Sequence, residues 1–124
     1  MTTTDTLVAL LATLDPGTTV YSGEVPTVPA ARYMVVYDTT ALHGGRNIDG
    51  RARQVREAWS VVCVNNSPPG AHLIADRVWR LADGQLLDGR PVWADLIGPV
   101  IEDRDDPSRW QWSCTVELHR TATR

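Results

Sequence analysis

The sequence predicts an α+β fold, a single domain in which a mixed or antiparallel β-sheet carries two helices packed on one face. Three observations predict it. Two segments repeat their apolar residues at helical spacing, and a third, near the end of the chain, alternates apolar and polar residues over ten positions. The order of elements, α, β, β, long loop, β, α and then further strands, has no regular βαβ repetition, so strands and helices should segregate into two layers.

The first helix is expected from about Asp5 to Leu14, where Leu7, Leu10, Leu11 and Leu14 share one face and Thr2-x-x-Asp5 can form a capping box. Asp15-Pro16-Gly17 ends it. Thr18 to Tyr21 favours extended structure, and the turn-rich stretch SGEVPTVP separates it from Tyr33-Met34-Val35-Val36-Tyr37, an apolar run typical of a strand buried on both faces. Residues 38 to 53 lack periodicity, hold three glycines and three arginines, and read as a long exposed loop, which a compact domain rarely keeps without a use. From Gln54 to Val64 the positions Val55, Trp59, Val61 and Cys63 share one parity and Ala58, Val62 and Val64 the other, so this strand should become buried on both faces toward its end.

Asn65-Asn66-Ser67-Pro68-Pro69 stops that strand and opens the second helix, whose stripe is Ala71, Ile74, Ala75, Val78, Leu81 and Ala82. Asp83-Gly84 closes it. Leu73, Arg77 and Arg80 fall on the opposite face, which leaves Leu73 exposed or covered by something outside the domain's own core. Two short strands are expected at Val92 to Ala94 and Val100 to Asp103. The acidic turn from Glu102 to Pro107 leads into Trp110 to Arg120, where Trp110, Trp112, Cys114, Val116 and Leu118 form a dry face and Gln111, Ser113, Thr115, Glu117 and His119 a wet one. No second domain, repeat or low-complexity segment interrupts residues 1–124.

Composition narrows the function classes. With 124 residues, 43% hydrophobic and 22% charged, the chain is ordinary globular material able to bury one core. A net charge of -3 argues against a nucleic-acid-binding surface, which clusters basic residues. Neither a basic leader nor an apolar run long enough for a bilayer is present, so a soluble, unexported protein is expected. Only Cys63 and Cys114 occur, too few for a disulfide scaffold or a four-cysteine zinc site, and they fit a reducing compartment.

The chemistry-bearing residues form no catalytic pattern. A nucleophile needs a base within reach and a third group to orient that base, yet Cys114 and His119 have opposite parity on one strand, and a proline-rich turn separates Cys63 from His72. Both cysteines read as small core residues. His43-Gly44-Gly45 has no accompanying G-x-S-x-G elbow, His43, His72 and His119 lack metal-ligand spacing, and no phosphate-binding glycine loop exists. The carboxylates Glu102, Asp103, Asp105 and Asp106 are interrupted by Arg104, so a solvated turn is favoured over a cation site. Trp59, Trp79, Trp93, Trp110 and Trp112 supply core volume in a chain without phenylalanine, Trp79 being the least settled of them. No catalytic residue, metal or cofactor is expected, and the chain reads as non-enzymatic.

The stretch Val20-Tyr21-Ser22-Gly23-Glu24-Val25-Pro26, followed by Arg32-Tyr33-Met34-Val35-Val36-Tyr37, resembles the opening of small tail-completion proteins of actinobacterial siphophages, the tail terminator family. The likeness continues through the long polar loop, a strand, the helix AHLIADRVWRLADG, a Gly-Arg-Pro segment and the acidic turn before DRDDPSRWQWSCTVEL. It spans nearly the whole chain and lies in the order of the pieces. The resemblance implies an α+β domain that assembles as a homohexameric ring on the head-proximal end of the tail tube, stops tube polymerisation and provides the head-to-tail joining surface. It implies as partners further copies of the chain, the major tail tube protein and a head connector or head-closure protein. Genome DNA would pass through the ring without specific binding, and the location would be the virion neck after assembly in the host cytoplasm.

On this reading Arg46, Arg51 and Arg53 of the loop reach a neighbouring subunit or the tube, and Asp103, Asp105 and Asp106 offer the opposite charge for head-to-tail packing, with Leu73 as an exposed apolar contact. The plainer reading, an ordinary loop and a solvated turn, stands beside it. Two other functions remain in play: another neck component such as a head-closure or connector protein, and a small ligand-binding α+β domain using the tryptophans. Reversing the charge of Arg51 and Arg53 together should impair ring formation or tube capping, scored by electron microscopy; unchanged assembly would remove both from the interface.

Overall fold

The computed structural model describes residues 3–26, 31–39, 54–103 and 111–123. In chain order the elements are α1 (Thr3–Leu14), β1 (Thr19–Ser22), β2 (Tyr33–Asp38), β3 (Gln54–Asn65), α2 (Pro68–Ala82), β4 (Leu86–Leu87), β5 (Arg90–Pro91), β6 (Trp93–Ile97), β7 (Ile101–Asp103) and β8 (Gln111–Thr123). The fold is α+β. A mixed sheet runs β1-β2-β3-β8-β6, with β7 also on β8, and β4-β5 is a separate hairpin. Only β1 and β2 run parallel; the remaining pairs are antiparallel. Because β3 occupies one side of β8, β6 and β7 lie end to end along the other.

The long antiparallel pair β3–β8 fixes which side chains face the helices. Its register places Cys63 opposite Cys114, Val61 opposite Val116 and Trp59 opposite Leu118, all at most 1% exposed. Met34 and Val36 extend this face through β2. The helices close over it with Leu7 and Leu11 from α1 and Ala71, Ile74, Ala75, Val78 and Ala82 from α2. Three alanines in that stripe let α2 lie close to the sheet, while each larger apolar side chain contributes ~1.5–3 kcal/mol by leaving water. Trp79 sits partly buried against the same core.

Polar contacts anchor the helix ends. The Trp59 indole donates to Thr4 Oγ1 at 3.1 Å, and Thr4 Oγ1 donates to Asp38 Oδ2 at 3.3 Å, tying the start of α1 to the Asp38–Trp59 strand pair. Arg77 of α2 reaches the buried Asp15 beyond α1 at 3.2 Å, and Thr18 Oγ1 donates to the other Asp15 oxygen at 2.9 Å. Ser67 caps α2 by accepting from the Gly70 amide at 3.1 Å, with prolines in the first turn where no amide is needed. At the other end Asp83 Oδ1 accepts from the Ala94 amide at 2.9 Å, joining α2 to β6.

Several expectations need correction. Helix α1 begins at Thr3, two residues before the predicted start. Strand β2 is buried from Tyr33 to Val36, but Tyr37 is 39% exposed, so the run is not covered on both faces throughout. The predicted strand from Val92 to Ala94 lies at Trp93–Ile97, and that from Val100 at Ile101–Asp103. The β4–β5 hairpin escaped prediction; Asp88 and Gly89 turn it with φ of 52° and 83°, the left-handed pair that a two-residue Asp-Gly turn supplies. The wet face of β8 is wet only in part, since Gln111 is 8% and His119 1% exposed. The 40–53 portion of the predicted loop and residues 104–110 of the acidic turn and its sequel lie outside the described residues.

Arg120, on the helix side of β8, is also buried, at 6% exposed. Its guanidinium holds both oxygens of Glu57 across the ladder at 2.8 and 2.9 Å and donates to the Leu87 carbonyl at 2.5 Å, so one cation fastens the hairpin to the sheet. Glu57→Ala should lower the unfolding free energy by about 3 kcal/mol, because it strands a buried charge, and Glu57→Met with Arg120→Met should recover most of that loss in urea titrations. The core thiols give a second check. Burial pushes both Cys63 and Cys114 above the ordinary thiol range, and the neighbouring Cys114 and Asp15 add to the shift at Cys63. A raised thiol stays protonated at neutral pH and only the thiolate attacks, so a disulfide reagent should label neither cysteine in the folded chain and both after denaturation.

Candidate assembly surface

The sheet has two unlike faces. Helices cover one; on the other, Tyr33, Val35 and Val64 are buried in a second, smaller cluster with Tyr21 and Val62 against them. Tyr21 and Tyr33 meet edge to face, with centroids 5.5 Å apart. Beside this cluster lies a groove of 790 Å³, floored by Val35, Val62 and Val64 and walled by Tyr37, Pro99 and Ile101. Val25 and Glu102 also line it, so its rim carries one acidic group. Val25, Tyr37 and Ile101 are 38%, 39% and 59% exposed, a run of large apolar side chains left facing water on one side of the sheet.

The groove arises from how β7 meets β8. Gly98 donates to the Thr115 carbonyl at 2.8 Å and lets the chain leave β6, and Ile101 then pairs opposite Ser113 on the open face. A side chain at position 98 would find the Thr115 carbonyl 3.7 Å from its Cβ, ordinary contact, so the glycine is not sterically required.

Of the residues the sequence put forward, Leu73 stands as expected, 58% exposed on the outer face of α2. Its companions on that face are engaged: Arg77 with Asp15, and Arg80 with Asp76 one turn earlier at 3.1 Å. Asp103 ends β7, opposite Gln111 in the ladder and next to the groove-lining Glu102. Arg46, Arg51, Arg53, Asp105 and Asp106 lie outside the described residues. Leu73 and Asp103 are therefore not brought together: one stands on the helix layer, the other at the edge of the sheet. The groove itself was missed by sequence reasoning. The signal available was the apolar parity of Tyr33, Val35, Val62 and Val64, which predicted a second buried face; Tyr33, Val35 and Val64 are buried as expected, and the groove they line was not foreseen.

Further along the open face of β8, Glu117 and His119 meet Asp95 of β6. Among the described residues this is the group of His, Cys, Asp or Glu side chains close enough to share a metal ion. Histidine spacing gave no hint of it, because its members come from two strands. No helix among the described residues is long and apolar enough to cross a membrane.

No protein-family model matches this chain, and no curated protein does. Among solved structures, one chain of no stated activity superposes on 97% of this chain and 90% of its own length, with a TM-score of 0.54 at 19% identity. That likeness extends to the fold alone.

Proposed function

We propose that this chain is a structural ring component of a phage neck, a tail terminator that caps the head-proximal end of the tail tube and presents a joining surface to the head. The observation that carries this reading is the apolar groove on the open face of the sheet, where Ile101 and Tyr37 are exposed, with Leu73 as one exposed apolar side chain on the opposite layer, outside α2. Contiguous apolar groups left facing water mark interaction sites. A patch that meets a different patch on the next copy is a heterologous contact, and such contacts close into rings when the rotation permits. The occupant proposed for the groove is thus a second copy of this chain. The order of sequence features shared with tail-completion proteins supplies the biological setting.

A second reading rests on the groove's size. At 790 Å³ it falls within the range of small-molecule sites, with tyrosines on its wall. Stabilisation of the chain against heat by a small molecule, abolished by a charge at Ile101, would favour that reading.

Tail length tests the terminator role. A phage deleted for this gene should yield overlong tubes beside unattached, DNA-filled heads in electron micrographs. Normal-length free tails with leaking heads would assign the chain to a connector instead, and normal virions would sink the assembly reading. Supplying Leu73→Glu or Ile101→Glu from a plasmid should fail to restore infectious particles. Both positions are exposed, so the folded chain should survive each change, within about 0.5 kcal/mol of the parent in unfolding free energy.

A further inference from the structure

We propose that Asp95, Glu117 and His119 form a binding site for one divalent first-row transition-metal ion of the zinc class, with its remaining coordination position open to solvent. The site goes beyond the ring role and depends on none of its contacts.

The fold builds this trio in three steps. Glu117 and His119 are two apart on β8, so both project from the open face. In the neighbouring strand, Trp93 pairs with His119 and Ala94 with Leu118, but the register then shifts and Leu96 pairs with Glu117. Asp95 is the extra residue of that irregularity, and a bulge re-aims the side chain it carries. Finally, Trp93 stacks on the His119 ring with centroids 5.9 Å apart and planes 23° apart. The imidazole, 1% exposed, is thereby held with Nε2 toward both carboxylates.

Distances favour a shared ion over a simple hydrogen bond. His119 Nε2 lies 3.3 Å from Asp95 Oδ2 and 3.4 Å from Glu117 Oε2. A charge-assisted N–H···O bond draws its atoms to ~2.7–2.9 Å, and one Nε2 hydrogen can serve one oxygen well, not two. In a tetrahedral site with bonds of ~2.0–2.2 Å, neighbouring ligand atoms stand roughly 3.4 Å apart. Both measured separations match that edge. All three ligand atoms lie within 4.8 Å of one another, so the carboxylate-to-carboxylate edge is the one left to close. Asp95, whose side chain is 57% exposed, has the freedom to close it.

The donor set indicates the class of ion. Two carboxylates and a neutral imidazole balance a dication. Imidazole suits zinc, iron, nickel and copper(II), whereas calcium takes six to eight oxygen ligands and magnesium keeps most of its waters. Three protein ligands leave a tetrahedral ion one position for water or for a donor from another molecule. Such an ion would also bridge β6 to β8 where the bulge interrupts their ladder.

Titration of the untagged chain with zinc chloride in a calorimeter tests the site. One ion per chain should bind saturably, and the melting temperature should rise with zinc concentration, since an ion that binds only the folded state stabilises it. Asp95→Asn and Glu117→Gln should each weaken binding by at least ~10-fold, while His72→Gln should leave it unchanged. These carboxylates are exposed or half-buried, so circular dichroism should report folded variants. Cobalt(II) at one equivalent should give the intense visible bands of a four- or five-coordinate ion in the native chain. Failure of the native chain to bind zinc saturably, a cobalt spectrum equal to that of the aqueous ion, or zinc binding that survives both carboxylate changes would each overturn the proposal.

Discussion

The register between β3 and β8 is the constraint on which the rest of the molecule depends. Every residue of β3, from Gln54 to Asn65, has a partner on β8, and side chains along a strand alternate faces. A slip of one residue would send Cys114, Val116 and Leu118 to the open face and bring Glu117 and His119 under the helices. The Glu57–Arg120 pair would separate, and with it the hold on the β4–β5 hairpin through the Leu87 carbonyl. The slip is opposed by the apolar pattern on the helix side, where Trp59, Val61 and Cys63 share one core with residues of α1 and α2. Packing and pairing thus select the same alignment.

Coverage by helices on one side leaves the other side of the sheet to be read along its length. At one end Tyr33, Val35, Val62 and Val64 make it apolar; toward the other lie Ser60, Glu117 and His119, with the buried Ala58 opposite His119. The divide follows the edge strands. The β7 end contributes Ile101, which walls the groove, and the β6 end contributes Trp93 and Asp95, which enclose His119. A break in one edge strand at Gly98 therefore separates two surfaces with different chemistry on the same sheet.

Much of this was legible in the sequence, for physical reasons that also mark where legibility ended. The helical period of Ala71, Ile74, Ala75 and Val78, the Ser67-Pro68-Pro69 start and the Asp83-Gly84 stop placed α2 within a residue or two. Alternation from Trp112 to Leu118 placed β8, and the outward position of Leu73 followed from the same helical geometry. Alternation says that two faces differ; it does not say what covers each. His119 was assigned to water because its parity is polar, yet it is buried, with Trp93 from another strand stacked on its ring. The Asp88-Gly89 turn was a readable hairpin signal, but the two-residue strands beside it were too short to show a period. Asp95 depends on a bulge, and no local pattern in β6 announces one. The groove required knowing that Tyr33, Val35 and Val62 lack a helix over them, which is a fact of topology.

On the proposed ring, the division of surfaces has an energetic consequence. A stable pairwise interface buries roughly 800 Å² on each partner, whereas the groove presents a few large apolar side chains and the outer face of α2 one, Leu73. One such contact formed alone must offset the whole loss of rotational and translational freedom on association. In a closed ring each copy makes two contacts, and the last copy joins by both at once, so closure is favoured well beyond any open chain. A template that holds the copies in place, as the end of a tube would, removes the remaining entropic barrier. On that proposal the chain would associate weakly in solution and close firmly on a tube, which would leave Leu73 and Ile101 exposed in the free chain.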